Sequence, residues 1–209
     1  MNAITFETLT PSNFSRFQES IMRSEDAYPE AERSAAVDYL DIVKEDSNIS
    51  MLALLDSSYI GNVFADEPEG EDLEICRPHI TCAGRRIIYV YNFIIDRQYQ
   101  GKGYGHLLLL EFIKQARSRG FEFLVGHFRQ NAILKIIKEM GGQERFVVKN
   151  WEGSGEDYVL CELDLTHTET QPMPTVTPPV KETEVLQPSF SVLPSHEGVG
   201  HPTENLPHH

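Results

Sequence analysis

Apolar side chains in this sequence either alternate or run together, as in strands, or return every three to four positions, as on one face of a helix. Residues 3–9 read as a first strand. Thr10-Pro11-Ser12 then supplies a cap and a first-turn proline. The helix that follows carries Phe14, Phe17 and Ile21 on one face. A second helix is expected over residues 29–43, with Ala36, Tyr39, Leu40 and Val43 apolar. Residues 50–55 and 59–65 form a hairpin around the turn Asp56-Ser57-Ser58. Residues 66–85 read as a long polar loop, a feature that in compact domains tends to accompany function. A central strand over residues 87–95 leads through a glycine-rich turn into a helix over residues 104–119. That helix buries Leu109, Phe112, Ile113 and Ala116, and Gly120 ends it. A strand over 121–128, a helix over 131–140 closed by Gly141-Gly142, and strands over 144–149 and 158–165 complete the pattern. The order β-α-α-β-β-β-α-β-α-β-β predicts an α/β (α+β) domain with a central sheet flanked by helices.

Composition changes after about residue 165. Eight of the twelve prolines lie in the remaining residues, which hold few aromatics and no apolar period. Such a segment cannot bury enough surface to offset its ordering entropy. The expected organisation is a folded domain over residues 1–165 and a disordered proline-rich tail over 166–209, with a protein partner as one use for the tail. The net charge of −14 argues against nucleic acid as a partner, which calls for a basic footprint, and suits a cationic substrate. No apolar run approaches the roughly 18 residues of a membrane helix, and residues 1–7 lack a signal-peptide pattern, so a cytoplasmic location away from membranes is expected. Cys76, Cys82 and Cys161 are odd in number and suggest reduced thiols. Cys76-x-x-His79-x-x-Cys82 offers three ligands at a spacing unlike zinc sites, so loop residues and no metal are expected.

The turn is the most informative segment. Gly101, Gly103 and Gly105 alternate with Lys102 and Tyr104 between a strand and a helix. Glycines there let successive N–H groups converge, and the helix points its positive dipole end at the same spot. This is an anion cradle of the kind that holds phosphate. It lacks the Gly-Lys-Ser/Thr of a P-loop, and His106 stands where a dinucleotide fingerprint needs its last glycine.

Gln100-x-x-Gly103-x-Gly105, within this order of elements, resembles the GNAT superfamily of N-acetyltransferases across almost the whole folded region. The resemblance implies a mixed, mostly antiparallel sheet and acetyl-CoA as co-substrate. It places pantetheine on the backbone of Phe93, Ile94 and Ile95, and pyrophosphate on Gln100, Gly101, Lys102, Gly103, Tyr104 and Gly105. Asn131 stands where many members contact the cofactor, and a plain helix cap is the other reading of it. The tyrosine that many members use as general acid is replaced by Lys138, or by Ile137 in an alignment shifted by one. The strand glutamate used as base is matched by Tyr89 or Tyr91. Tyr91, His127 and Tyr89 are therefore the candidate proton handlers. Strand alternation predicts that the two tyrosines share a face with Phe93 and Ile95. Acidic residues of the first helices and the loop (Glu25, Asp26, Glu30, Glu32, Asp38, Asp66, Glu67, Glu69, Glu71, Asp72, Glu74) favour an amine acceptor. The expected activity is acyl-CoA-dependent N-acetyl transfer to a primary amine. The alternative is a non-catalytic acyl-CoA-binding regulatory module.

Overall fold

The computed structural model describes residues 3–167. All of the expected tail except Thr166 and His167 lies outside them. Among the described residues, seven strands form one sheet in the order β1-β2-β3-β4-β5-β7-β6. They are β1 Ile4–Thr8, β2 Met51–Leu55, β3 Ser58–Asp66, β4 Ile87–Ile95, β5 Phe123–Arg129, β6 Gln143–Val148 and β7 Tyr158–Asp164. Every pairing is antiparallel except β4 with β5.

Helices cover both faces. On one face, α4 (Tyr104–Ser118) and α5 (Ala132–Glu139) pack into a core built by Ile88, Val90, Leu124, Val159 and Leu163. Six of the fifteen residues of α4 are leucine, tyrosine or phenylalanine, and its buried surface is broader than the expected stripe, taking in Tyr104, Leu107, Leu108 and Leu110 as well. On the other face, α1 (Phe14–Ser24) and α2 (Ala36–Lys44) bury Phe14, Phe17, Ile21, Tyr39 and Val43 against Leu52, Leu54 and Phe64.

Two local differences from the expected elements matter for the site. The second helix begins only at Ala36, because Pro29 starts a 3-10 turn at Glu30–Glu32 and the chain then runs extended through Arg33. The polar loop contains a short helix, α3 (Gly70–Cys76), entered through Gly70 at φ 51°. Cys76 and Cys82 are core residues, buried with Ile80, Ile87, Tyr89, Val125 and Leu160. Burial pushes their thiols up to about 11 and about 12.

A clasp anchors the segment after α3. Glu162 on β7 is only 4% exposed and accepts from the Thr81 N–H at 2.7 Å, the Thr81 hydroxyl at 2.6 Å and Arg145 Nη2 at 2.8 Å. Burial raises its carboxyl, and these bonds outweigh burial and hold it below the usual range. Arg145 reaches it because it is the extra residue of a bulge in β6, between Glu144 opposite Cys161 and Phe146 opposite Leu160.

Candidate active site

Two irregularities of β4 create the site. The first is a bulge. Phe64 faces Asn92 and Ala65 faces Val90, so Tyr91 is the extra residue. The bulge reverses the side-chain alternation. Ile88 and Val90, before it, share a core with Phe93 and Ile95, after it, while Tyr89 lies in the opposite cluster. The expectation that Tyr89 and Tyr91 share a face with Phe93 and Ile95 is corrected by this single inserted residue. The two tyrosines do meet, ring centroids 4.8 Å apart and edge to face.

The second irregularity is a short pairing. β4 and β5 are in register only at Ile87–Phe123, Ile88–Leu124 and Tyr89–Val125, and beyond that they diverge. The Asp96 N–H to Ile60 carbonyl bond fixes the phase of the β3–β4 ladder. In that phase Asn92 and Ile94 bond β3, while the N–H and C=O of Phe93 and Ile95 point into the gap. Gln100 Nε2 donates to the Ile95 carbonyl at 2.8 Å and so braces the following turn.

That turn leaves its donors open. Gly101 and Gly103 adopt φ 72° and 82°, left-handed backbone that a Cβ would strain. The backbone N–H groups of residues 101–106 have no acceptor among the described residues. Lys102 Nζ donates to the Gln98 carbonyl at 2.9 Å and lies 5.5 Å from the Tyr99 ring centroid. Asn131 caps α5, its side chain accepting from the Ile133 N–H at 3.1 Å, and it also lines the cavity described next.

A cavity of about 710 Å³ opens over the gap, walled by the α1–α2 segment, α3, β4, β5 and the β6–β7 connection. Its carboxylates are Glu25, Glu32, Asp38 and Asp72, against one arginine, Arg129. Glu25 is the most enclosed of them, 3% exposed. Its Oε1 accepts from the Tyr39 hydroxyl at 2.7 Å and Asn92 Nδ2 at 3.0 Å, and its Oε2 from the Ser34 N–H at 2.9 Å. Burial raises its pKa above the ordinary carboxylate value, and the three bonds offset part of that. Asn92 is held in turn by Asn62, whose Nδ2 donates to Asn92 Oδ1 at 2.6 Å.

The three expected proton handlers all line the cavity. Tyr89 and His127 are joined directly, hydroxyl to Nδ1 at 2.8 Å, across the mouth of the gap. Burial, with a smaller contribution from His79, lowers the His127 imidazole to about 4, so the ring is neutral near pH 7. Tyr91 donates to Asp72 Oδ2 at 3.1 Å. Burial first, then nearby charge, raises both phenols. They are hydrogen-bond donors at neutral pH. Lys138 is half-exposed and pairs with Glu144 at 2.7 Å, and Ile137 is fully buried; neither lines the cavity.

Glu25 is the residue that sequence reasoning assigned to an acidic wall and no more. Its partners come from α2, from β4 and from the turn before α2, so no local pattern marks it. Tyr28 is a residue that the sequence did not single out at all. It lines the cavity, its phenol is pushed up to about 12 by burial and then by Glu25, and the Phe93 backbone acts on it. No group of three metal-ligating side chains converges among the described residues.

Residues 14–134 match the Acetyltransferase (GNAT) family. The chain belongs to the GNAT family. The family's co-substrate is acetyl-CoA and its reaction is acetyl transfer from it. Solved GNAT structures reproduce the fold. The ribosomal-protein-S18-alanine N-acetyltransferase of Escherichia coli is 15% identical, with 82% of this chain and 99% of that chain covered and a TM-score of 0.59. NAA60 of Arabidopsis thaliana, solved in complex with acetyl-CoA, is 18% identical, with 78% and 99% covered and a TM-score of 0.61. A mosquito arylalkylamine N-acetyltransferase like 5b is 14% identical, with 77% and 99% covered and a TM-score of 0.61. At these identities the likeness is one of fold. No curated protein matches this GNAT chain. No helix among its described residues is long and apolar enough to cross a membrane.

Proposed function

We propose that this domain transfers acetyl from acetyl-CoA to the nitrogen of a primary amine, and that Glu25 receives the amine's proton through water. The observation that carries the reading is the placement of a buried carboxylate, in an acid-walled cavity, beside the open edge of β4. Acid walls attract an ammonium ion, and a carboxylate of raised pKa is a better proton acceptor than an exposed one. The unpaired N–H groups of residues 101–106 suit the pyrophosphate, and the gap-facing Phe93 carbonyl and Ile95 N–H suit the pantetheine amides.

The chemistry balances without a metal or redox partner. The ammonium loses one proton, and its nitrogen attacks the thioester carbonyl carbon. A C–N bond forms, and the resulting oxyanion lies near the Phe93 N–H, a donor already oriented. Collapse breaks the C–S bond. The nitrogen loses its second proton, the thiolate takes up one, and one proton is released overall. A thiolate leaves readily, since thiols ionise at a pKa of about 8.5. No tyrosine acid in α5 is needed on this route. His127, neutral and tied to Tyr89, orients the water chain from the opposite wall.

The test is acetyl-CoA turnover against a panel of amines, read as CoA release and as the acetylated product's mass. Glu25→Gln should lower kcat roughly ten- to a thousandfold, the range of a lost acid–base contribution, with acetyl-CoA affinity preserved by calorimetry. Binding of acetyl-CoA with no turnover on any amine would instead favour the acyl-CoA-binding regulatory module.

A further inference from the structure

One part of the cavity is left over by this chemistry. Glu32, in the 3-10 turn Glu30–Glu32, accepts through Oε2 from the Tyr158 hydroxyl on β7. Its other oxygen, Oε1, is buried and has no hydrogen-bond partner among the described residues. A buried carboxylate oxygen without a donor is costly, and native structures rarely keep one without a use. The nearby cation does not answer it. Arg129 donates to the Ala27 carbonyl at 3.1 and 3.2 Å, lies 4.5 Å from the Tyr28 ring centroid and has Glu156 at 3.9 Å.

The rings beside Glu32 point to what would. Trp151 stacks on Tyr158 with centroids 5.1 Å apart and lies 4.5 Å from the His127 ring, and all three line the cavity. A carboxylate oxygen next to tryptophan and tyrosine faces is a cation subsite, since the ring faces attract positive charge and the oxygen accepts its N–H. Glu32 is also separate from Glu25. Asn92 on β4 holds Glu25, and Tyr158 on β7 holds Glu32, with β5 between the two strands. Two strand spacings set those anchors roughly 10 Å apart or more.

Resting on the proposed amine acetylation, we infer that the acceptor carries a second cationic group, which stays charged and sits on Glu32 against Trp151 and Tyr158 while the first amine reacts near Glu25. The shared chemistry is a dication, whether a free diamine or a peptide whose reacting amine has a basic side chain nearby.

Trp151 is the sole tryptophan of the chain, so its fluorescence reports this subsite without any turnover. In the full chain without acetyl-CoA, titration with α,ω-diaminoalkanes from propane to octane should shift Trp151 emission saturably, with a length optimum. The matched n-alkylamines should do so only at concentrations at least roughly tenfold higher. Glu32→Gln keeps an acceptor for Tyr158 and removes the charge, and should abolish the difference. In turnover, the diamine-to-monoamine ratio of kcat/KM should fall by at least roughly tenfold in the same variant. Alanyl-lysine against alanyl-norleucine, run in parallel, separates a peptide source from a free diamine. Equal responses to diamine and monoamine, or an equal loss for both in Glu32→Gln, would overturn the inference while leaving amine acetylation standing. An emission change with no turnover on any amine would support the subsite and count against the acetylation reading.

Discussion

His127 is neutral in the fold because burial disfavours the charged ring, and that has a measurable cost at low pH. Its pKa drops from 6.5 to about 4 on folding. A depressed folded value means that the unfolded chain binds the proton first. The stability is therefore intact above about pH 6.5 and declines as pH falls toward 4, by up to about 3 kcal/mol at 1.36 kcal/mol per pKa unit. Thermal melts across that window should show the decline, and His127→Gln should flatten it. Glu25 is shifted upward instead, and its signature is kinetic. Its raised value places the acid limb of kcat/KM above the usual carboxylate range, with activity growing as Glu25 loses its proton. Glu25→Gln should remove that limb from the pH–rate profile, and an unchanged limb would exclude Glu25 as the base. The two residues also mark how far sequence carries at this scale. The position of His127 was legible because it falls near the C-terminal end of the strand beside the expected cofactor gap. The burial of Glu25 was not, because it depends on Tyr39, Asn92 and Ser34 arriving from three other places.

At the scale of elements, the glycine turn was readable because it needs glycines by position, whereas the bulge in β4 was hidden inside a continuous apolar run. Ile87 to Ile95 looks the same with or without an extra residue, and only the pairing with Phe64 and Ala65 shows that Tyr91 is inserted. The short α3 was equally hidden, since seven residues rich in acids, as in Gly70–Cys76, barely repeat one helical period. The turn itself predicts that Gly103→Val weakens acetyl-CoA binding at least tenfold, about 1.4 kcal/mol, measured by calorimetry. A β-branched residue at φ 82° would pull the N–H groups off their common target. Glu162 supplies a stability test independent of the site. Glu162→Ala leaves the partly buried Arg145 without its carboxylate, which should cost about 3 kcal/mol. For a domain of this size, that lowers the melting temperature by roughly 10 °C.

For the whole molecule, β7 ends at Asp164, and the Leu165 N–H still bonds the Glu122 carbonyl, with Leu165 fully buried. Sheet and core are thus closed by residue 167. A chain ending there should keep its acetyl-CoA affinity and melt within about 2 °C of the full chain, a shift of roughly 1 kcal/mol or less; a larger drop would show that the proline-rich segment contributes to the fold. The three-pair junction between β4 and β5 has a further consequence. It leaves the sheet as two panels, β1 to β4 and β5 to β7 with β6, joined along a short seam. A ligand arm that bonds the free edge of β4 works there as a removable strand, mending the seam from Val90 onward. Its arrival should therefore be felt as rigidity well beyond the atoms it touches. Amide hydrogen exchange in β7, which does not border the gap, should slow when acetyl-CoA binds.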